Sequence, residues 1–378
     1  MNPQDLLFRA AGPQDLDAFE RIAAASATGI TTLPADRTLL REKLERSAQA
    51  FASLDDSSGE EIYLFVVEDL AAAGGPRVVG TSGIAASAGF ADRFYSYRNE
   101  MIVHASAALH ASNRIHTLHL CHDLTGYTLL TSFYIEPAYA DTLAPQLLSR
   151  ARFLFIAEFA DRFSDRIAAE SPGLSDDSGR CPFWDAVGRR FFDMDYPQVE
   201  RLTGGRSKAF IAELMPHTPI YVPLLPEAAQ WAIGQLHPVG ELPFSILLDE
   251  GFDTETYVDL FDGGPTVDAR VSMVKTVARS RPVTADGAIE KHCTDGTEGT
   301  DGTDSTDSTG SDDSAGALRG AGEGWHLVSN TRRGQFAAVL HAGPAALAPS
   351  ARRLLGGDDA APLRVAALDL VTPHGEAT

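Results

Sequence analysis

The chain has 378 residues, of which 44% are hydrophobic, and a formal net charge of −21 at pH 7. This length is sufficient for two or three domains with their own cores, and the acidic balance disfavours nucleic acids and anionic membranes as partners. No run approaches the roughly 20 apolar residues that span a bilayer, and the N-terminus lacks a secretory signal pattern, so we expect a cytoplasmic protein.

Neither the cysteines nor the acidic residues form a metal-binding pattern. Cys121, Cys181 and Cys293 are scattered and contain no CxxC pair, so we expect isolated thiols rather than a disulfide framework or a zinc site. Residues 294–316 hold seven acids and no base. Repeated Asp could suggest Ca²⁺, but the spacing lacks the closing Glu of an EF-hand loop. Having almost no apolar residues, this tract is predicted to lie in a disordered loop at about 286–323.

The first part of the chain alternates between strand and helix patterns. In order, the predicted elements are a strand at 6–10, a helix at 13–26, a helix at 37–51, and strands at 62–67 and 77–87. In the first helix Leu16, Phe19 and Ile22 share one face. A Gly-Gly-Pro turn separates the last two strands, which are therefore predicted to pair.

A strand, a long helix and a second strand follow, at 129–135, 144–163 and 166–170. Apolar residues in the middle segment recur at helical spacing, and the whole predicts a βαβ crossover. The free N–H groups at the start of such a helix favour anions. The segment before it, residues 88–128, is too long and too rich in aromatic and ionisable residues for a plain connector, so we expect a functional insertion.

Several long motifs in this chain are similar to those of one enzyme family. They are FYSYRNE (94–100), VHAS (103–106), HDLTG (122–126), SPGLSDDSGRCPFWDAVGRRFFDMD (171–195), KAFIAELMPHTPIYVPLL (208–225), GQLHP (234–238) and YVDLFDGGPT (257–266). In sequence and in order they resemble the arginine N-succinyltransferase family. GITTLP (29–34), SAGF (87–90), CHDLTG (121–126) and LLTSFYI (129–135) most resemble the α subunits of its two-subunit members.

The resemblance implies a fold, a reaction and partners. The implied class is α+β, with a GNAT-like acyl-CoA N-acyltransferase domain at 1–267, an insertion at about 88–128, and a small C-terminal β-barrel domain at 268–378. The implied reaction transfers succinyl from succinyl-CoA, a co-substrate, to the α-amine of L-arginine. No cofactor or metal is expected, and the expected partner is a homologous β subunit or another copy of the chain.

The resemblance also implies two site residues. His237, in GQLHP, matches the family's proton donor, and Phe133 aligns with a Leu that binds succinyl-CoA. The residues alone favour a C-terminal cap for His237, at the end of a helix predicted at 227–236, and the matched motif favours the proton donor instead. His104, His119 and His122 are other candidates, although each could be a structural histidine.

Charged residues are hypotheses for substrate recognition. A guanidinium group requires planar carboxylate pairing, for which Glu100, Asp123 and Glu170 are the candidates. Arg98 could bind a carboxylate of arginine or of the succinyl group. Each carboxylate could instead be a surface charge or a loop cap.

One segment departs from the family pattern. One-subunit members follow the first strand of the βαβ unit with a Gly-containing loop that wraps the pyrophosphate, and here the glycine positions hold Leu143 and Pro145. Proline removes an N–H donor, and Asp141 adds a negative charge. Two hypotheses follow: an active subunit that binds CoA differently, or a degenerate subunit that stabilises a homologous β subunit. Action on another cationic amine such as ornithine is a third.

Overall fold

The computed structural model describes residues 2–26, 33–53, 58–176, 178–203, 212–283, 324–343, 347–356 and 361–368. The predicted acidic loop and Cys293 lie outside these ranges, as do parts of the GITTLP and KAFIAELMPHTPIYVPLL motifs. Within the described ranges, no helix has the length and apolar character needed to cross a bilayer.

Fourteen strands occur in the described residues. They are β1 Leu6–Ala10, β2 Ile62–Asp69, β3 Arg77–Ala85, β4 Ser96–Ser106, β5 Ala111–Cys121, β6 Thr128–Ile135, β7 Arg166–Glu170, β8 Ile220–Tyr221, β9 Asp253–Val258, β10 Pro265–Arg270, β11 Arg281–Val283, β12 Trp325–Asn330, β13 Ala337–Ala342 and β14 Leu363–Leu368. They form one sheet in the order β11-β14-β12-β13-β1-β2-β3-β6-β7-β10-β9-β4-β5-β8. Pairs are antiparallel except β6 with β7, which is parallel.

The helices lie between these strands. In the described residues they are α1 Leu16–Ala25, α2 Arg37–Ala52, α3 Ala144–Glu158, α4 Pro182–Ala186, α5 Arg189–Phe192, α6 Tyr196–Thr203, α7 Glu227–Ala232, α8 Glu241–Glu250, α9 Lys275–Arg279 and α10 Pro349–Leu354. The mixed α/β architecture with a large sheet agrees with the coarse prediction of fold class.

Most predicted elements are confirmed, with shifted ends. The helix predicted at 13–26 begins with a 3₁₀ turn, Pro13–Asp15, before α1. The one predicted at 144–163 ends as an α-helix at Glu158 and continues as a 3₁₀ turn, Ala160–Arg162. The predicted βαβ crossover is present as β6, α3 and β7.

The predicted insertion contains an ordered hairpin. β4 and β5 pair along their whole length, from Ser96 opposite Cys121 to Ser106 opposite Ala111. β9 pairs with β4 on one side, and β8 pairs with β5 on the other. The insertion therefore extends the sheet rather than forming a free loop.

The main core lies where α3 packs on the sheet. The ring of Phe155 is 5.2 Å from that of Phe65 and 4.9 Å from that of Phe336. Phe336 precedes β13, which pairs with β1 at the other end of the sequence. The C-terminal strands thus join the central sheet, and the predicted boundary at residues 267 and 268 falls inside β10.

A second cluster explains the aromatic segment at 181–195. Phe183 and Trp184 are fully buried with Val187 nearby, whereas Phe191 is half exposed. Core packing accounts for the buried aromatic rings of this segment. Cys121 and Cys181 are buried free thiols, as predicted for isolated cysteines.

Candidate active site

The parallel strands β6 and β7 separate soon after they begin to pair. Their register joins Thr128 to Ile167 and continues only to Leu130 opposite Ala169. Beyond that point β6 continues to Ile135 beside β3, while β7 stays with β10. This leaves an opening beyond the carboxyl ends of the two parallel strands, which is the edge at which ligands bind in parallel sheets.

An irregularity in β6 lies at this opening. The register with β3 shifts between Thr81 and Gly83, and Ser132, opposite the shift, has a φ of 54°. The hydroxyl of Thr81 donates to the carbonyl of Ser132 at 3.0 Å and holds the distorted residue in place. A bulge of this type turns backbone groups away from the ladder, and bulges are frequent next to active sites.

A cavity of about 130 Å³ fills the opening. Its wall is formed by the ends of β6 and β7, α3, α8 and the segment after β9: Leu129, Leu130, Thr131, Ser132, Phe133, Arg152, Ala169, Glu170, Ser171, Pro172, Tyr196, Val239, Gly240, Pro243, Leu247, Asp259, Phe261 and Asp262. Because a cavity of about 10–15 Å³ is enough for one water molecule, this cavity has room for a short acyl chain. Two of the predicted site residues, Phe133 and Glu170, line it.

His237 lies at one edge of this cavity without lining it. Its main-chain N–H donates to the carbonyl of Pro172 at 2.9 Å, and Pro172, Val239 and Gly240 are part of the wall. The half-buried ring accepts a hydrogen bond at Nδ1 from the N–H of Val239, at 3.2 Å. Because an accepting Nδ1 carries no proton, the neutral ring has its proton on Nε2.

The interpretation of His237 as a C-terminal helix cap is wrong. The preceding helix α7 ends at Ala232, four residues earlier than predicted. His237 is instead the N-cap of the 3₁₀ turn Pro238–Gly240, since its side chain accepts from the second N–H of that turn. The side chain can therefore cap the turn through Nδ1 and transfer a proton through Nε2.

The structure brings Arg98 and Glu100, both on β4, together with Asp123, which lies two residues beyond the end of β5. The guanidinium of Arg98 is hydrogen-bonded to Glu100 and, at 2.7 Å, to Asp123. These two contacts, Asp123 first, raise the pKa of Arg98. His119 Nε2 lies 3.4 Å from Glu100, and the Tyr257 hydroxyl donates to Asp123 at 3.4 Å. None of the three predicted residues is in the cavity wall.

Two carboxylates in the cavity wall were not predicted. Asp262 accepts from Gly173 N–H and Gly264 N–H, each at 2.8 Å, and from the Tyr196 hydroxyl at 3.3 Å. Asp259 accepts from the N–H of Phe261 at 2.6 Å. Both accept main-chain N–H groups of the loop after β9 and so stabilise its shape. With Glu170 they contribute three acidic side chains to the cavity wall. Their place in the YVDLFDGGPT motif was the available signal.

Arg152, a basic residue of the same cavity wall, was also not predicted. It stands in the apolar run ARFLFI, which the helical pattern assigns to the core, yet it is only 2% exposed and lines the cavity. An arginine within an otherwise buried helix face was a signal that could have found it.

The start of α3 offers few free donors to an anion. Thr142 Oγ1 accepts from the N–H of Ala144 at 3.1 Å, Pro145 has no N–H, and Leu147 N–H is bonded to the carbonyl of Leu143. Of the first four positions only Gln146 retains a main-chain N–H for which no acceptor is recorded in the described residues. The helix terminus therefore lacks the row of amides that binds phosphate groups in many proteins.

Similarity to known proteins was found for most of the chain. A family model described as "Arginine N-succinyltransferase beta subunit" matches residues 6–276. The arginine N-succinyltransferase subunit alpha of Pseudomonas aeruginosa is 50% identical over 278 residues, which are 74% of this chain and 81% of that protein. The subunit beta of the same organism is 42% identical over 276 residues, 73% of this chain and 80% of that protein.

A one-chain relative and a solved structure are similar as well. The arginine N-succinyltransferase of Enterobacter sp. (strain 638) is 39% identical over 270 residues, 71% of this chain and 77% of that protein. The structure described as arginine/ornithine succinyltransferase subunit AI from Pseudomonas aeruginosa superposes with a TM-score of 0.79 at 40% identity. It covers 96% of this chain and 99% of that one.

Proposed function

The chain belongs to the arginine N-succinyltransferase family, and from this premise we propose that it transfers a succinyl group from succinyl-CoA to the α-amine of L-arginine. The observation that carries the proposal is the 50% identity to an arginine N-succinyltransferase subunit alpha over most of both chains. The solved relative is described as acting on arginine or ornithine, so L-ornithine is the alternative acceptor. The prediction of family membership from the sequence motifs is confirmed.

The proposed fold is GNAT-like, with β6, α3 and β7 as its central βαβ unit. The separation of the two parallel strands and the bulge at Ser132 support it, because they open a slot at mid-sheet for a thioester. The small barrel proposed for the C-terminal region would include β11 to β14, which lie at one end of the sheet order.

The reaction joins the amine nitrogen to the thioester carbon and breaks the C–S bond. The amine must lose a proton, and the leaving CoA thiolate must gain one. We propose that His237 carries this proton, since its Nε2 has no partner among the described residues and its main-chain N–H is bonded to Pro172 of the cavity wall. The acidic residues of the cavity wall, Glu170 among them, would attract the cationic acceptor. Phe133 would contact the succinyl-CoA.

A second candidate function follows from the start of α3. If that terminus does not hold the pyrophosphate, the chain could be a degenerate subunit that stabilises a homologous β subunit. The engaged N–H of Ala144 and the missing N–H of Pro145 favour this alternative. The known relatives named alpha and beta make a heteromer the proposed assembly, with a homo-oligomer as the other possibility.

Calorimetry and an amine-acylation assay separate the two functions. We expect the purified chain to bind succinyl-CoA with micromolar affinity and to form N-succinylarginine, detected by mass spectrometry. The matched control is CoA without a succinyl group, which measures binding in the absence of an acyl chain. Binding and turnover only after the β subunit is added would support the degenerate subunit. Absence of succinyl transfer in both preparations would overturn the proposed activity.

The hairpin cluster gives a separate test of substrate recognition. Arg98→Lys should raise KM markedly while kcat changes little, because lysine cannot reproduce the planar fork that holds two carboxylates or binds one from the substrate. Steady-state kinetics with each substrate varied in turn would show which KM rises. Exposed Arg37→Lys, on α2, is the control. An unchanged KM in Arg98→Lys would exclude Arg98 from recognition.

A further inference from the structure

Helix α3 carries two buried arginines with different surroundings. Arg150 is 4% exposed and its Nε lies 2.7 Å from a carboxylate oxygen of Glu250, which is itself 2% exposed. Arg152 is 2% exposed, and no carboxylate in the described part of the chain pairs with it. Buried charges in proteins are normally paired. Arg150 has such a partner, whereas Arg152 has no carboxylate partner among the described residues.

The recorded contacts of Arg152 are all with neutral groups. Its Nε donates to the carbonyl of Ser149 at 3.1 Å, and Nη2 donates to the hydroxyl of the same residue at 3.0 Å. The guanidinium carbon lies 5.7 Å from the centre of the Phe133 ring. Arginine has five N–H donors, so more than half are left over. Desolvation lowers the pKa of Arg152 to about 9.

The location of Arg152 restricts what can supply the missing negative charge. It lies on the third turn of α3 and lines the cavity together with Phe133. Phe133 is three residues beyond Leu130, the last residue of β6 that pairs with β7. The three acidic residues of the cavity wall, Glu170, Asp259 and Asp262, are not ion-paired with it in the described structure. Because no described residue supplies this charge, an anionic group of a ligand in the cavity would be a suitable partner.

We propose that the guanidinium of Arg152 binds the terminal carboxylate of the succinyl group and thereby selects this acyl chain over uncharged ones of equal length. The inference rests on the proposed function. Nη1 and Nη2 lie in one plane and can meet both carboxylate oxygens, which is the geometry in which arginine binds carboxylates most strongly. In this arrangement Arg152 binds the anionic acyl chain, and the acidic residues of the cavity wall attract the cationic acceptor.

Replacement by a neutral side chain of similar length gives the direct test. Initial rates are measured for wild type and Arg152→Met with succinyl-CoA and with butyryl-CoA, whose four-carbon chain ends in a methyl group. A charge-assisted hydrogen bond predicts that Arg152→Met lowers kcat/KM for succinyl-CoA by about 10- to 200-fold. The value for butyryl-CoA should change by less than about threefold, so that the preference collapses. Exposed Arg37→Met is the matched control.

Thermal melting makes the test independent of catalysis. Succinyl-CoA should raise the Tm of the wild type more than butyryl-CoA does, and this difference should vanish in Arg152→Met. The proposal is overturned if the variant keeps the wild-type preference for succinyl-CoA in both kcat/KM and Tm. It is also overturned if kcat/KM falls equally for both acyl-CoAs while the Tm of the unliganded protein falls. If the wild type transfers no acyl group, the proposed function fails, and the melting comparison still decides the role of Arg152.

Discussion

Replacing His237 by alanine should lower kcat by about 10²-fold or more if this side chain carries the proton between the amine and the thiolate. The structural reason is the division of work between its two nitrogens. Nδ1 is occupied by the N–H of Val239, which leaves Nε2 as the nitrogen that can exchange a proton with a reactant. Steady-state kinetics with saturating succinyl-CoA and L-arginine would measure the effect.

A second substitution separates proton transfer from capping. Asparagine is among the best N-cap residues, so His237→Asn should keep an acceptor for Val239 N–H and a Tm near that of the wild type. It cannot carry a proton, and kcat should fall as far as in His237→Ala. His110→Ala, in the exposed hairpin turn, is the control. Recovery of wild-type kcat in His237→Asn would assign the ring a structural role only.

Truncating Phe155 should reduce the free energy of unfolding by about 3–5 kcal/mol, the range for removing a buried aromatic side chain. The ring is fully buried and lies within 6 Å of six others: Phe51, Tyr63, Phe65, Phe159, Phe163 and Phe336. The cavity left by the substitution would be surrounded by these packed rings, which could not move easily to fill it. Urea denaturation followed by fluorescence would measure the loss for Phe155→Ala.

The same experiment probes how the C-terminal strands are joined to the rest. Because Phe336 packs on Phe155 at 4.9 Å and β13 pairs with β1, Phe336→Ala should shift the same cooperative transition. Phe191→Ala, at a half-exposed position, should cost less than about 0.5 kcal/mol. Two separate transitions, of which only one responds to Phe336→Ala, would instead indicate that the C-terminal region unfolds on its own.

Local sequence patterns predicted which helices and strands occur better than they predicted where these elements end or which strands pair. The crossover of β6, α3 and β7 was evident from the apolar period of the helix and the short β-branched strands. The hairpin of β4 and β5 was not evident, because apolar Met101 and Val103 are exposed and the segment shows no strict alternation of apolar and polar residues. Its partners β9 and β8 also come about 100 or more residues later in the chain. The early end of α7 at Ala232 reflects Gly234, whose φ of 72° stops a helix.

The amino-acid sequence by itself determined the family, the order of the central elements and two of the cavity residues, Phe133 and Glu170, since motifs and periodicities are local properties. Only the tertiary structure decided that His237 caps a turn beside the cavity and that Arg98 already holds two carboxylates. It also decided that Arg152 is buried with no carboxylate partner in the described part of the chain. The physical reason is that burial and charge pairing depend on which distant segments meet. Two arginines two positions apart on one helix look alike in the sequence, and only the fold gives one of them a carboxylate and the other a cavity.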